Sequence, residues 1–70
     1  MQRRNGYGLT FRQLTILQLV AAGHSDKEIA NVLGISTPTV SKHVANILHK
    51  MAAPSRTQAG VRGVKEGLLD

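Results

Sequence analysis

The chain has 70 residues, enough for one compact domain that buries about 60% of the surface its unfolded form exposes. It contains no cysteine, which excludes disulfides and thiolate metal sites. Nine Lys and Arg residues against four Asp and Glu residues give a formal charge of +5, which favours a polyanionic partner such as nucleic acid. No apolar stretch has the length of a signal peptide or of a membrane span, so we expect a cytoplasmic protein without a membrane partner.

The opening residues MQRRNGYG are polar and basic. We interpret residues 1–8 as a flexible arm or linker and residues 9–70 as an all-α domain of four helices. Thr10 is placed to cap a first helix of about residues 11–22, which Gly23 ends. The apolar residues of this helix recur at helical spacing and comprise Phe11, Leu14, Leu17, Val20 and Ala21.

A second helix is predicted for residues 26–33. Ser25 lies three residues before Glu28, the spacing of a capping box in which each side chain accepts the backbone N–H of the other residue. Gly34 then follows, and we expect it to adopt the left-handed conformation that ends a helix sharply. The apolar face of this helix comprises Ile29, Ala30, Val32 and Leu33.

A third helix is predicted for about residues 37–52, with Ser36 as its cap and Pro38 in its first turn. One face of this helix is an apolar stripe of Val40, Val44, Ile47, Leu48 and Met51. The opposite face is small or polar and comprises Pro38, Lys42, Ala45, Asn46 and His49.

A fourth helix is predicted for about residues 56–67, after Pro54, with Ser55 and Gln58 at the capping-box spacing. Gly60 and Gly63 lie inside this helix, and each costs about 1 kcal/mol relative to alanine. Two interpretations remain open: a flat face of small residues that lets a partner helix approach closely, or simply a weak helix.

Two helices joined by a glycine-containing turn form the arrangement that places a helix in the major groove of DNA. The outer face of the third helix carries the candidate base-reading residues. Among them, Lys42 can donate to the acceptors of guanine and Asn46 can pair with adenine. The full set is Thr39, Ser41, Lys42, Ala45 and Asn46. The candidate phosphate-binding residues at its margin are Lys27, Thr37, His43 and Lys50.

Catalysis and metal binding have little support in the sequence. The four carboxylates are scattered, and no nucleophile motif, phosphate-binding glycine loop or cofactor fingerprint is present. His43 and His49 lie on different sides of the third helix without a further ligand. We therefore expect no enzyme, no cofactor, no metal and no small-molecule ligand.

Three segments occur in a fixed order along the chain: LTFRQLTILQLVAAGHSDKEIANVLGIS, TVSKHVANILHKM and SRTQA. Together they form a longer and more specific pattern than a helix-turn-helix alone. From Leu9 to Leu69 the chain resembles the DNA-binding domain of the LuxR/FixJ (GerE-type) family of bacterial transcription regulators. The resemblance implies four helices, with the third in the major groove and the fourth at a homodimer interface. It also implies a response regulator that has double-stranded DNA, a second copy and RNA polymerase as partners.

The chain departs from the family pattern at three places. Gln13 stands where the family usually has an acid, so we expect a hydrogen bond to Arg56 in place of an ion pair. Ser41 stands where a lysine often follows T-V, with Lys42 one position later, and Ala52 replaces a glycine after the third helix. The predicted dimer surface on the fourth helix comprises Ala59, Gly60, Val61, Gly63, Val64 and Leu68.

Three functions remain to be distinguished. The first is sequence-specific DNA binding as a homodimer on two-fold related half-sites. The second is a promoter-recognition domain like the last region of a sigma factor, against which His43 and the SRTQA segment argue. The third is a protein-interaction module that kept the fold without DNA binding. A neutral or acidic third helix is the expected signature of such a module, whereas this helix has Lys42 and Lys50 and no acid.

Overall fold

The computed structural model describes residues 6–69, so residues 1–5 of the predicted arm, and Asp70, lie outside the described residues. The described part contains four α-helices and no strand: α1 (Phe11–Ala21), α2 (Asp26–Leu33), α3 (Thr37–Met51) and α4 (Arg56–Lys65). The predicted all-α fold is confirmed. The helix α2 has the predicted bounds, α1 and α3 end one residue earlier than predicted, and α4 ends two residues earlier.

A hydroxyl side chain caps the N-terminus of every helix, because each one accepts the backbone N–H three residues further on. The predicted capping box of Ser25 and Glu28 is confirmed. Thr10 and Gln13 form a second complete box that the sequence analysis did not identify, since it considered Thr10 alone. Local hydrogen bonds therefore determine where the four helices begin.

Each helix is followed within two residues by a residue with a positive φ: Gly23 after α1, Gly34 after α2, Ala52 after α3 and Gly67 after α4. Gly34 has a φ of +70° at the end of α2, which confirms the predicted sharp turn into α3. Ala52 ends α3 with a φ of +51°, and it is the one residue other than glycine with a positive φ in the described part of the chain. Its Cβ makes this conformation unfavourable by about 1–2 kcal/mol.

Replacing Ala52 by glycine is expected to raise the free energy of unfolding by about 0.5–1 kcal/mol. Glycine adopts the left-handed conformation without a Cβ clash, and its greater freedom in the unfolded chain offsets part of the gain. Urea denaturation followed by circular dichroism measures the change. Ala22→Gly is the control: this C-cap residue of α1 has a right-handed φ of −78°, so glycine should lower stability there. A less stable Ala52→Gly variant would contradict the prediction.

The hydrophobic core is formed by the facing sides of all four helices. The apolar stripe predicted for α3 is confirmed, with Leu48 only partly buried. The buried apolar residues are Leu9, Ile16, Leu17, Val20, Ile29, Ala30, Val40, Val44, Ile47, Met51 and Ala59. No helix within residues 6–69 is both long and apolar enough to cross a membrane.

The predicted apolar faces of α1 and α2 are partly wrong. Phe11 is 85% exposed and Val32 is 62% exposed, whereas Ile16, which the sequence analysis did not include, is completely buried. In α1 the buried side is centred on Val20, which lies nine residues, or about two and a half turns, after Phe11 and therefore on the opposite side of the helix. Because α1 packs against the other three helices, its contacts select this side.

The two glycines of α4 allow this helix to lie close to α1. A Cβ at Gly60 would stand 3.1 Å from the Cα of Ala21, and a Cβ at Gly63 would stand 3.2 Å from side-chain atoms of Leu17 and Leu69. The close approach that the small residues suggested is therefore present, but the approaching helix belongs to the same chain. Gly60 and Gly63 are buried in this contact, and Ala59 is buried in the core.

Candidate nucleic-acid interface

The outer face of α3 is a polar surface opposite the buried stripe. It contains no Asp or Glu, and most of its residues are exposed. Because α3 turns its apolar stripe inward, the fold presents the polar side of this helix to solvent. The exposed residues are Thr37, Pro38, Thr39, Ser41, Lys42, Ala45, Asn46, His49 and Lys50, and His43 at the edge is half-buried.

Lys42, Ala45 and Asn46 lie at positions i, i+3 and i+4 of α3, so they share one side of the helix. All three are exposed. The side chains of Lys42 and Asn46 form no hydrogen bond or ion pair with any residue between 6 and 69. Their donors and acceptors are therefore available to a partner.

Thr37 and Thr39 lie in the first turn of α3. The Thr39 hydroxyl is 2.7 Å from the hydroxyl of Ser36, which itself accepts the backbone N–H of Thr39. Thr39 thus belongs to the cap of α3 as well as to its exposed surface. Thr37 is exposed next to it.

Ser41, at the edge of α3, is hydrogen bonded to the first residue of α2. Its hydroxyl donates to Oδ2 of Asp26 over 2.7 Å, and Oδ1 of Asp26 accepts from Arg56 over 2.6 Å. Arg56 also donates to the backbone carbonyl of His24 over 3.1 Å. This network joins α2, α3 and α4 next to the proposed base-reading surface.

The predicted hydrogen bond between Gln13 and Arg56 is wrong, because Arg56 is bound to Asp26. The amide oxygen of the buried Gln13 accepts instead from Nζ of Lys50 over 2.9 Å, and the same Nζ donates to the carbonyl of Gly8 over 3.0 Å. Lys50 therefore links the end of α3 to the start of α1. Of the two lysines predicted to bind phosphate, only Lys27 is exposed with no hydrogen bond or ion pair to a described residue.

Tyr7 and Gly8 of the predicted arm contact the folded domain. The Tyr7 hydroxyl donates to Oε1 of Glu66 over 2.6 Å, and Tyr7 also packs against the core. The hydrogen bond to the Glu66 carboxylate raises the pKa of Tyr7 above its ordinary value. The start of the described chain therefore lies beside the end of α4.

The carboxylates at the start of α2 are held in their ionised form. The hydrogen bond from Ser41, together with the hydrogen bond and charge of Arg56, lowers the pKa of Asp26 despite its partial burial. The backbone N–H of Ser25 lowers the pKa of Glu28, whose Oε1 also lies 3.6 Å from Nδ1 of His24. The start of α2, where backbone N–H groups point outward, also favours negative charge.

Acid is expected to destabilise the domain in part through Asp26. Since the pKa of Asp26 is lower in the folded than in the unfolded chain, its stabilising effect is complete above an ordinary carboxyl pKa of about 4. The effect is lost as the pH falls through the lowered folded value. Asp26→Asn should therefore lose less stability than the wild type between about pH 5 and pH 2, as measured by urea denaturation. An equally steep loss in both proteins would contradict this.

The sequence model of the family described as "GerE: Bacterial regulatory proteins, luxR family" matches residues 8–62, which is more than half of the chain. The chain belongs to this luxR family. The predicted resemblance is thereby confirmed, and the luxR-family domain is a DNA-binding domain of transcription regulators.

Three relatives illustrate the similarity of this luxR-family domain to longer proteins. It is 48% identical over 59 residues to the transcriptional regulatory protein DegU of Brevibacillus brevis, covering 84% of this chain and 25% of DegU. It is 43% identical over 67 residues to the uncharacterized transcriptional regulatory protein YhcZ of Bacillus subtilis, covering 96% and 31%. It is 43% identical over 61 residues to the response regulator protein VraR of Staphylococcus aureus, covering 87% and 29%. The chain thus spans between a quarter and a third of the length of these relatives.

The predicted dimer residues of the luxR-family domain lie in three different environments. Gly60 and Gly63 are buried against α1 and Ala59 is buried in the core, so this part of the predicted surface is not available to a second copy. Leu68 is half-buried and packs against the core. The remaining two residues, Val61 and Val64, are 53% and 62% exposed.

Asp26 was not among the site residues predicted from the sequence. Asp26 lies 15 residues from Ser41 and 30 residues from Arg56, so no local spacing connects the three. The only sequence signal was the position of Asp26 in the first turn of α2, which is ordinary for a carboxylate. No group of three or more metal-ligating residues lies together within residues 6–69.

Proposed function

We propose that this domain binds double-stranded DNA sequence-specifically, with α3 in the major groove, as a homodimer on two-fold related half-sites. The observation that carries the proposal is the acid-free outer face of α3, where Lys42 and Asn46 are exposed and have no partner in the described chain. The major groove admits one α-helix, and base edges there require donors and acceptors on its outer face.

The base-reading roles follow from the chemistry of each side chain. Lys42 donates to O6 and N7 of guanine, and Asn46 pairs with N6 and N7 of adenine. The methyl group of Ala45 contacts the methyl group of thymine, and the hydroxyls of Thr39 and Ser41 form single hydrogen bonds to base edges. Because Lys42, Ala45 and Asn46 share one side of α3, these contacts fall on neighbouring base pairs.

Phosphate contacts come from residues around this surface. Lys27 in the first turn of α2, Thr37 at the start of α3 and His43 at its edge supply donors to the backbone. Lys50 contributes less than its charge suggests, because its Nζ already donates to Gln13 and Gly8. Its long side chain must leave these acceptors to reach a phosphate.

A second copy is proposed to bind on the exposed side of α4. Val61 and Val64 are spaced i, i+3, so they form one apolar patch on the side of α4 that faces solvent. The patch borders a shallow surface depression that also includes Ala21, Thr57 and Lys65. Pairing of two such patches about a two-fold axis buries the apolar surface of both copies.

The lengths and names of the relatives extend the proposal to a whole protein. DegU and VraR are about three to four times longer than the matched region, and VraR is named a response regulator protein. We propose that the domain is the DNA-binding part of a longer cytoplasmic response regulator of bacteria. RNA polymerase is a further proposed partner of that whole protein.

A selection from a random-sequence duplex pool at near-physiological salt tests the function. Enrichment of a two-fold symmetric motif is the expected result. Binding that enriches no motif and disappears as salt rises would leave only phosphate attraction. That outcome would favour a protein-interaction module instead.

Val64→Asp is expected to weaken binding to DNA that carries both half-sites by about tenfold or more, because two carboxylates would face each other across the two-fold axis. Binding to a single half-site should change little. Val32→Asp is a matched control, since Val32 on α2 has the same exposed fraction of 62%. Electrophoretic mobility shifts on the two duplexes measure both effects. Equal weakening by the two variants would contradict a dimer interface on α4.

A further inference from the structure

Within the described chain, Ser41 is the one proposed base-reading residue whose side chain is hydrogen bonded to another helix. Its hydroxyl lies 2.7 Å from Oδ2 of Asp26. An ionised carboxylate has only acceptors, and a hydroxyl carries one proton. The proton of Ser41 must therefore point toward Asp26, and a distance of this size is usual for such a charge-assisted hydrogen bond.

Asp26 is itself held in place from the other side. Its Oδ1 accepts from Arg56 over 2.6 Å, and Arg56 is oriented by the carbonyl of His24 over 3.1 Å. Asp26 is also the first residue of α2, where the backbone N–H groups favour negative charge. The carboxylate is therefore ionised and its two oxygens have separate partners.

The outward side of Ser41 then presents only lone pairs. A serine that rotates freely can donate to or accept from a base edge, so it distinguishes bases poorly. Ser41 is an exposed residue, and with its proton committed to Asp26 its Oγ can accept a hydrogen bond but cannot donate one. Amino groups at N6 of adenine and N4 of cytosine match this acceptor, whereas O6 of guanine and O4 of thymine do not.

We propose that Asp26 is a specificity-determining positioning residue. It makes Ser41 an acceptor and thereby selects adenine or cytosine, the bases with an amino group in the major groove, at the position that Ser41 faces. The inference rests on the proposed insertion of α3 into the major groove. Asp26 acts through Ser41 and needs no contact with a base of its own.

Asp26→Asn is expected to reverse the polarity of Ser41. Arg56 has only donors, so the amide oxygen of the new side chain remains opposite Arg56, at the place of Oδ1. The amide nitrogen then takes the place of Oδ2 and donates to Oγ of Ser41. The hydroxyl proton is released toward the groove, where it favours O6 of guanine or O4 of thymine.

The test is a selection from a random duplex pool with four proteins: wild type, Asp26→Asn, Ser41→Ala and Glu28→Gln. One position of the wild-type motif should favour adenine or cytosine, and this preference should be lost in Ser41→Ala. For Asp26→Asn, the ratio of retained duplexes with guanine or thymine at that position to those with adenine or cytosine should rise by about threefold to tenfold. Glu28→Gln removes a carboxylate of the same helix turn that does not contact Ser41, so it should retain the wild-type motif.

The double variant Ser41→Ala/Asp26→Asn tests whether Asp26 changes the base preference through the Ser41 hydroxyl. It should select the same motif as Ser41→Ala, because Asp26 has no hydroxyl left to orient. A shift toward guanine or thymine that persists without the Ser41 hydroxyl would overturn the inference. Thermal unfolding by circular dichroism establishes that each variant is folded in the assay.

The failure of this inference is distinguishable from the failure of the proposed function. If the wild type enriches no motif, DNA reading itself is wrong and the role of Asp26 falls with it. If the wild type enriches a motif that Asp26→Asn leaves unchanged, only the role of Asp26 is wrong. A motif that Ser41→Ala leaves unchanged at every position also overturns the inference, because Ser41 then reads no base.

Discussion

Lys42→Ala is expected to weaken binding to the preferred DNA by about 1–3 kcal/mol and to relax the base preference at one position. Lys42 is exposed on the middle of the outer face of α3, where its ammonium group has no hydrogen bond or ion pair within residues 6–69. Removing it therefore costs a contact with DNA without removing a contact that stabilises the fold. Titrations of labelled duplexes of preferred and scrambled sequence measure the effect.

Lys27→Ala is the matched control for Lys42. Lys27 is also exposed and unpaired in the described chain, but it lies in α2, where we expect it to contact phosphate. Its removal should weaken binding to all sequences similarly and reduce the slope of log affinity against log salt by about 0.9. If Lys42→Ala and Lys27→Ala weakened every sequence equally, the assignment of base reading to Lys42 would be wrong.

Lys50→Ala is less informative as a phosphate control than its exposure on α3 suggests. Nζ of Lys50 donates to the amide oxygen of the buried Gln13 and to the carbonyl of Gly8. Its loss leaves the amide oxygen of Gln13 with a single donor, the backbone N–H of Thr10. A change in affinity would therefore combine an effect on DNA binding with an effect on stability.

Gly60→Ala is expected to lower the free energy of unfolding by up to about 2 kcal/mol, because the gain in helix propensity offsets part of the usual overpacking cost of about 1–3 kcal/mol. The added Cβ would stand 3.1 Å from Cα and 3.3 Å from Cβ of Ala21, the last residue of α1. Backbone atoms of a packed helix cannot move independently, so α1 and α4 would have to separate. The cost of this separation opposes the gain of about 1 kcal/mol from replacing glycine inside a helix. Urea denaturation measures the difference.

Gly63→Ala supplies the comparison within the same helix. Its added Cβ would meet the ends of the Leu17 and Leu69 side chains at 3.2 Å, and these side chains can change rotamer. The gain in helix propensity should then offset most of the strain, so we expect a change close to zero. Equal destabilisation by Gly60→Ala and Gly63→Ala would show that the contact with the α1 backbone is not what requires glycine.

The packing of α4 on α1 has a consequence for assembly. Since Ala59, Gly60 and Gly63 are buried inside the domain, the proposed second copy would bind the exposed side of α4, where the large apolar residues are Val61 and Val64. The proposal thus assigns a different role to each side of α4. Gly60→Ala tests the inner side through stability, and Val64→Asp tests the outer side through DNA binding.

The sequence by itself determined the helices, their caps and the turn between α2 and α3. These features depend on residues within about four positions of one another, as in the Ser25 and Glu28 capping box or the left-handed Gly34. The apolar stripe of α3 was equally predictable, because one strong period of apolar residues leaves a single side of the helix to bury. The polar outer face of α3, and with it the candidate site, followed from that stripe.

Only the tertiary structure decided which distant groups meet. Lys50 rather than Arg56 binds Gln13, and Asp26 binds both Ser41 and Arg56, because these contacts span 15 to 37 residues and depend on how the helices pack. Packing also turned Phe11 toward solvent and placed the small residues of α4 against α1. Local periodicity does not determine such contacts, since the apolar side of a helix that packs against several neighbours is selected by those neighbours.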